Sequence, residues 1–153
     1  MNLVKMLKRE NIFIGDAYKE TDSFYADYSD FLKKRGIITN KEKVKRLFVK
    51  RENLQSTAIG KGAAAPHVFS NEFSEFIFSI ALIKKGLDFK APDGGNVFLV
   101  FLIMSDERDV GLHLKSLAHI ARLVSSTDIV EDVKKAGNAD EIYNTLLEKE
   151  NSI

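Results

Sequence analysis

Two nearly continuous apolar stretches, Phe76–Ile83 and Val97–Met104, constrain this chain more than any other feature; they flank the turn signal Ala91-Pro92-Asp93-Gly94-Gly95. A strand with one wet face alternates apolar and polar residues, so strands this uniformly apolar must be covered on both faces. The rest of the chain supplies the covering helices. Phe24, Tyr28, Phe31 and Leu32 fall at i, i+4, i+7 and i+8, with Thr21 or Asp22 as N-cap candidates and Gly36 just past the last turn. Asn40 opens a second helix whose apolar stripe is Val44, Leu47 and Phe48 and whose remainder is basic through Lys41, Lys43, Lys45, Arg46 and Lys50. A third runs from Gly111 to Ser125, where Ile120, Val124, Leu117, Ala121, Leu114 and Ala118 occupy one arc of about 160° that also contains His113. Two short helices close the chain, the second announced by Asn138 with Glu141 three residues on. Helices interleaved with buried strands define an α/β layer architecture. No linker, low-complexity tract or repeat interrupts residues 1–153, which read as one domain. The small residues between Ser56 and His67, and both prolines, Pro66 and Pro92, read as loop.

Composition narrows the chemistry. Lysine plus arginine number 23 and aspartate plus glutamate 22, so there is no broad cationic footprint for nucleic acid or an acidic membrane. There is no cysteine, hence no disulfide, no thiolate nucleophile and no cysteine-based zinc site. The longest apolar runs span about eight residues where a membrane-crossing helix needs roughly 20, and the first ten residues lack a signal peptide's apolar core. A cytoplasmic location without membrane insertion is therefore expected.

Three histidines remain as candidates. His67 follows Pro66 at the end of the small-residue stretch, where a macromolecule could reach it. A neutral imidazole there can form a covalent intermediate and pass it on, although the local pattern alone favours an exposed loop histidine without a role. His113, inside an apolar arc, is ordinarily a satisfied core residue; the functional alternative has it hydrogen-bonding an anion held near His67. His119 falls with Lys115 and Arg122 on what reads as a solvated face. Arg51 offers a guanidinium fork suited to phosphoryl oxygens, although Arg51-Glu52 could equally be a surface ion pair. Gly60-Lys61-Gly62 lacks the rest of a phosphate-loop pattern, no dinucleotide fingerprint occurs, and His113 and His119, about 120° apart on a helix, cannot share a metal.

Taken in order, Arg51-Glu52, Ser56-Thr57, Ala65-Pro66-His67, Lys85-Gly86-Leu87-Asp88-Phe89 and the run His113-Leu114-x-x-Leu117-Ala118-x-Ile120-Ala121-Arg122 resemble the enzyme IIA domain of the bacterial phosphoenolpyruvate-dependent sugar phosphotransferase system, fructose/mannitol class. The resemblance runs from about residue 23 to residue 148. It implies a single-domain mixed β-sheet flanked by helices on both faces, and a transferase that accepts a phosphoryl group from the phosphocarrier HPr and passes it to a cysteine of enzyme IIB during sugar uptake. By motif position His67 is the phosphorylated residue, His113 the second active-site histidine and Arg51 the phosphate-binding arginine. Phosphoryl transfer from a phosphohistidine asks for positioning and charge stabilisation, so neither metal nor other cofactor is expected.

The chain departs from the family pattern Gly-Ile-Ala-Ile-Pro-His in reading Gly62-Ala63-Ala64-Ala65-Pro66-His67, and Ala58 stands where glycine is common. With neither cysteine nor membrane span, it is expected to be a free-standing IIA protein or an excised domain, its partners supplied in trans. The family's nitrogen-related branch implies an alternative, a regulator whose phosphorylation state controls a partner protein without moving sugar. A catalytically silent α/β interaction domain is the third reading.

Overall fold

The structure is a computed structural model describing residues 1–153. The strands are β1 (Ile12–Gly15), β2 (Ala58–Gly60), β3 (Ala63–Ala64), β4 (His67–Phe69), β5 (Ile77–Leu87) and β6 (Val97–Ser105); the helices are α1 (Thr21–Lys34), α2 (Lys41–Leu54), α3 (Val110–Ser126), α4 (Ile129–Lys134) and α5 (Ala139–Asn151). They form one mixed sheet in the order β1-β5-β6-β3-β2, with β4 pairing the far end of β6. β5 and β6 are antiparallel, while β1 joins β5, and β3 and β4 join β6, in parallel.

The two apolar stretches are the central strands, and their alternate residues feed two separate cores. Leu99, Phe101 and Ile103 of β6 and Phe78, Ile80 and Leu82 of β5 pack beneath α3, α4 and α5. Val100, Leu102, Met104, Ala81 and Ile83 point the other way, beneath α1 and α2. A strand buried on both faces tolerates a polar side chain only where a partner satisfies it, as the Asn11 carbonyl does for the buried Ser79 hydroxyl at 2.7 Å, which is why these stretches lack alternation. On the α1 face the core is strongly aromatic: Tyr25 stacks on Phe48 at 5.0 Å and 5°, and Phe24 lies 6.2 Å from Phe89.

Helix punctuation follows the sequence in part. Asn40 caps α2 by accepting from Lys43 N–H at 3.0 Å, and Asn138 caps α5 by accepting from Glu141 N–H at 2.9 Å. Gly36, at φ +74°, turns the chain out of α1 while Ile37 N–H returns to the Leu32 carbonyl. The N-cap of α1, however, is Glu20 rather than Thr21 or Asp22, and its side chain makes no capping bond.

The segment read as a loop belongs largely to the sheet. Ala63 and Ala64 pair with Leu99 and Val100, and His67 pairs with Ile103, so β3 and β4 flank a single interruption along β6. Pro66 has no N–H to give the ladder, but its carbonyl accepts from Ile103 N–H at 3.1 Å. Alanine suits this position because α2 and the helices of the opposite face press on both sides of the strand, leaving Ala63 and Ala64 fully buried.

Candidate functional site

Three elements converge on His67. As the first residue of β4, it sits half-buried where the strand emerges beside the C-terminal end of α2. Its Nδ1 lies 3.4 Å from the Ala65 carbonyl, a long contact that favours the proton on Nδ1 and leaves the Nε2 lone pair free. Burial lowers the imidazole's pKa, the Ala65 carbonyl opposes this, and the nearby Arg51 guanidinium lowers it further, so the ring is neutral near pH 7. A neutral ring with a free Nε2 is the nucleophilic form.

Arg51 lines the same cavity of about 320 Å³, with Lys50, Leu47, Leu54 and Phe69. One arm of its guanidinium donates to the Gln55 carbonyl at 2.7 Å, closing the end of α2 and fixing the fork beside His67. Glu52 points the opposite way, so the two residues form no ion pair. Its buried carboxylate accepts from Tyr25 O–H at 2.6 Å, Thr57 N–H at 2.6 Å and Thr57 O–H at 2.7 Å. Thr57 in turn accepts Ala65 N–H through its carbonyl at 2.9 Å. The polar residues around Arg51 thus pin α2 to the strand leading into His67.

His113 lies on α3 with its ring 6.3 Å from that of His67. It is 2% exposed, stacks on Phe69 at 4.1 Å and meets the edge of Phe76 at 5.7 Å. Burial, together with the neighbouring His67, pushes its pKa down to about 4, with Asp109 acting in the opposite sense. Nε2 is 2.6 Å from the hydroxyl of Ser105, while the buried Nδ1 has no partner.

Two readings of α3 are corrected. The buried face is His113, Ser116, Ile120, Leu123 and Val124, whereas Leu114, Ala118 and Ala121 of the apolar arc face outward, Leu114 being 64% exposed. The helix rests on the sheet along one edge of its arc, because covering the whole arc would need a further layer. His119 is not on a solvated face: its side chain is 9% exposed and meets the buried Glu150 carboxylate of α5 at 2.8 Å. That carboxylate also receives Val4 N–H at 3.2 Å. Ser105 and Glu150 carry no sequence signal, and Glu52 and Thr57 stand in the ordered motif without any indication of what they touch, because the partners of all four are set by tertiary packing.

A mixed sheet that places a neutral, half-exposed histidine beside a guanidinium fork, with a second histidine buried behind it, defines a histidine-centred, anion-fitting site on an α/β scaffold. The chain belongs to the family "Phosphoenolpyruvate-dependent sugar phosphotransferase system, EIIA 2", which matches residues 5–149. It is 36% identical over 107 residues to the nitrogen regulatory protein of Bradyrhizobium diazoefficiens, covering 70% of each chain. It is 25% identical over 146 residues to the fructose-specific EIIABC component of Bacillus subtilis, covering 95% of this chain but 23% of that protein. The nitrogen regulatory protein IIA-Ntr of Neisseria meningitidis superposes with a TM-score of 0.82 at 25% identity, over 94% of this chain and 98% of the other.

Proposed function

We propose that the chain is a cytoplasmic phosphohistidine carrier of the phosphotransferase system, with His67 as the nucleophile. The observation that carries this reading is the free Nε2 of a neutral His67 in one cavity with the Arg51 guanidinium. The Nε2 lone pair attacks the phosphorus of phospho-HPr, the donor's P–N bond breaks, and the electron pair leaves with the donor imidazole. The Arg51 fork and the neighbouring His113, its ring 6.3 Å from that of His67, stabilise the phosphoryl group. Positioning and fixed charge suffice, so no metal or cofactor is invoked. Leu54, which lines the His67 cavity, is 76% exposed, and Val110 and Leu114, in the first turns of the helix that carries His113, are 46% and 64% exposed, apolar surface suited to docking HPr and then an acceptor. In sugar uptake that acceptor is a cysteine of enzyme IIB, the function supported by likeness to a fructose-specific protein that joins A, B and C components.

A regulatory output is the second reading. It is favoured by likeness to the nitrogen regulatory protein of Bradyrhizobium diazoefficiens, where coverage of the two chains is equal. Intact-mass measurement after incubation with phosphoenolpyruvate, enzyme I and HPr tests the shared chemistry: wild type gains one phosphoryl group and His67→Ala none. A full-stoichiometry, acid-labile adduct on His67→Ala refutes the assignment. Adding a panel of IIB proteins then separates the outputs, since only a transport component passes its phosphoryl group to a IIB cysteine.

A further inference from the structure

A hydroxyl that neither the motif nor the nucleophile accounts for sits behind the site. Ser105, the last residue of β6, is fully buried, and its Oγ lies 2.6 Å from His113 Nε2 and 2.8 Å from the Asp106 carbonyl oxygen. A hydroxyl carries one proton and a carbonyl only accepts. If Ser105 donates to Asp106, then Nε2 carries a proton and donates to Oγ, and both contacts are hydrogen bonds. If Ser105 donates to Nε2 instead, two oxygens face each other at 2.8 Å and Nδ1–H becomes a buried donor without a partner. The first arrangement keeps every contact. Phe69 and Phe76 hold the ring by its face and edge but do not distinguish its nitrogens, so Ser105 alone does.

Resting on the carrier reading above, we propose that Ser105 is a positioning residue that locks His113 as the Nε2–H tautomer, so that His113 grips a phosphoryl group on His67 only by taking up a proton at Nδ1. The ring gains that proton from solvent as the phosphoryl group arrives and returns it when the group leaves, so charge on the adduct is matched only while it is present. Burial keeps the ring neutral in the unloaded site, where the titratable groups acting on it are His67 on β4 and Asp109 at the head of α3. A dianion on His67 reverses the sign of that neighbour's influence and draws the proton in.

The test is long-range ¹H–¹⁵N NMR of histidine-labelled protein, unloaded and after treatment with phosphoramidate, for wild type, Ser105→Ala and Ser105→Thr. Unloaded wild type should show His113 protonated only at Nε2, Ser105→Ala a mixture of tautomers, and Ser105→Thr the wild-type pattern restored. Phosphorylated wild type should show both His113 nitrogens protonated, and the Ser105→Ala phosphoprotein should hydrolyse several-fold faster. A proton on Nδ1 in unloaded wild type, a tautomer indifferent to Ser105→Ala, or a bare Nδ1 in the phosphoprotein overturns the proposal. Failure of phosphoramidate to modify His67 overturns the carrier reading instead, while the unloaded spectra still decide the role of Ser105.

Discussion

Removing the Glu52 carboxylate tests how far the site depends on a buried clasp. Three donors converge on it, Tyr25 O–H, Thr57 N–H and Thr57 O–H, all within 2.7 Å. Hydrogen bonds to a buried charged group contribute about 1.5–3 kcal/mol each, and leaving such donors unpaired costs about 1–3 kcal/mol apiece. Water entering the vacated space would recover part of this, so Glu52→Ala should cost ~4 kcal/mol. Glu52→Gln should cost much less, for a geometric reason. The Gln oxygen can occupy the Oε2 position and accept the immovable Thr57 N–H, while its NH₂ takes the Oε1 position facing two hydroxyls that can rotate to accept. Only charge assistance is lost, ~1–2 kcal/mol. Urea unfolding followed by circular dichroism reads both: with a slope of about 2 kcal/mol per molar, the midpoint should fall by ~2 M for Glu52→Ala and by under ~1 M for Glu52→Gln. Equal losses for the two variants, or less than about 1 kcal/mol for Glu52→Ala, would refute the argument that satisfied donors rather than side-chain volume hold α2 to Thr57.

Arg51→Lys keeps the charge but loses the planar fork and its bond to the Gln55 carbonyl, so single-turnover phosphorylation of His67 by phospho-HPr should slow by roughly tenfold, and Arg51→Ala by more. Stability should also depend on pH through His113. Its folded pKa of about 4 lies below its ordinary 6.5, so the unfolded chain binds more protons between those values. The contribution is complete above pH 6.5 and is lost as pH falls towards 4, amounting to about 3 kcal/mol, with the depressed His67 adding slope in the same direction. Urea midpoints of wild type and His113→Phe measured across that window should converge as pH falls; parallel curves would contradict the assignment.

Local signals were enough to expose much of the architecture. Uniform apolarity marked the central strands, period-3.6 stripes marked α1, α2 and α3, and Asn40, Asn138 and Gly36 marked helix ends, because each depends on residues within a turn or two of one another. The ordered motifs singled out Arg51, His67 and His113, and the fold brings Arg51 and His67 to one cavity with His113 close behind. What stayed hidden depends on neighbours distant in the chain. The alanines before His67 gave no strand signal, since their place in the sheet comes from the ladder along β6 rather than from their own propensity.

The rest was decided by tertiary structure alone. Periodicity counts the faces of a helix but does not say which face meets another layer, so Leu114 went outward and His119 inward to Glu150, thirty-one positions away in sequence. Sequence by itself determined that a histidine follows Pro66 and, through the ordered motifs, that Arg51 and His113 accompany it. Only packing decided that the first ring is neutral with Nε2 free, that the second is buried against Ser105, and that Glu52 turns away from Arg51 to hold the site from behind. Protonation state and hydrogen-bond direction are set by desolvation and by partners brought together in space, and neither is written in the identity of a residue.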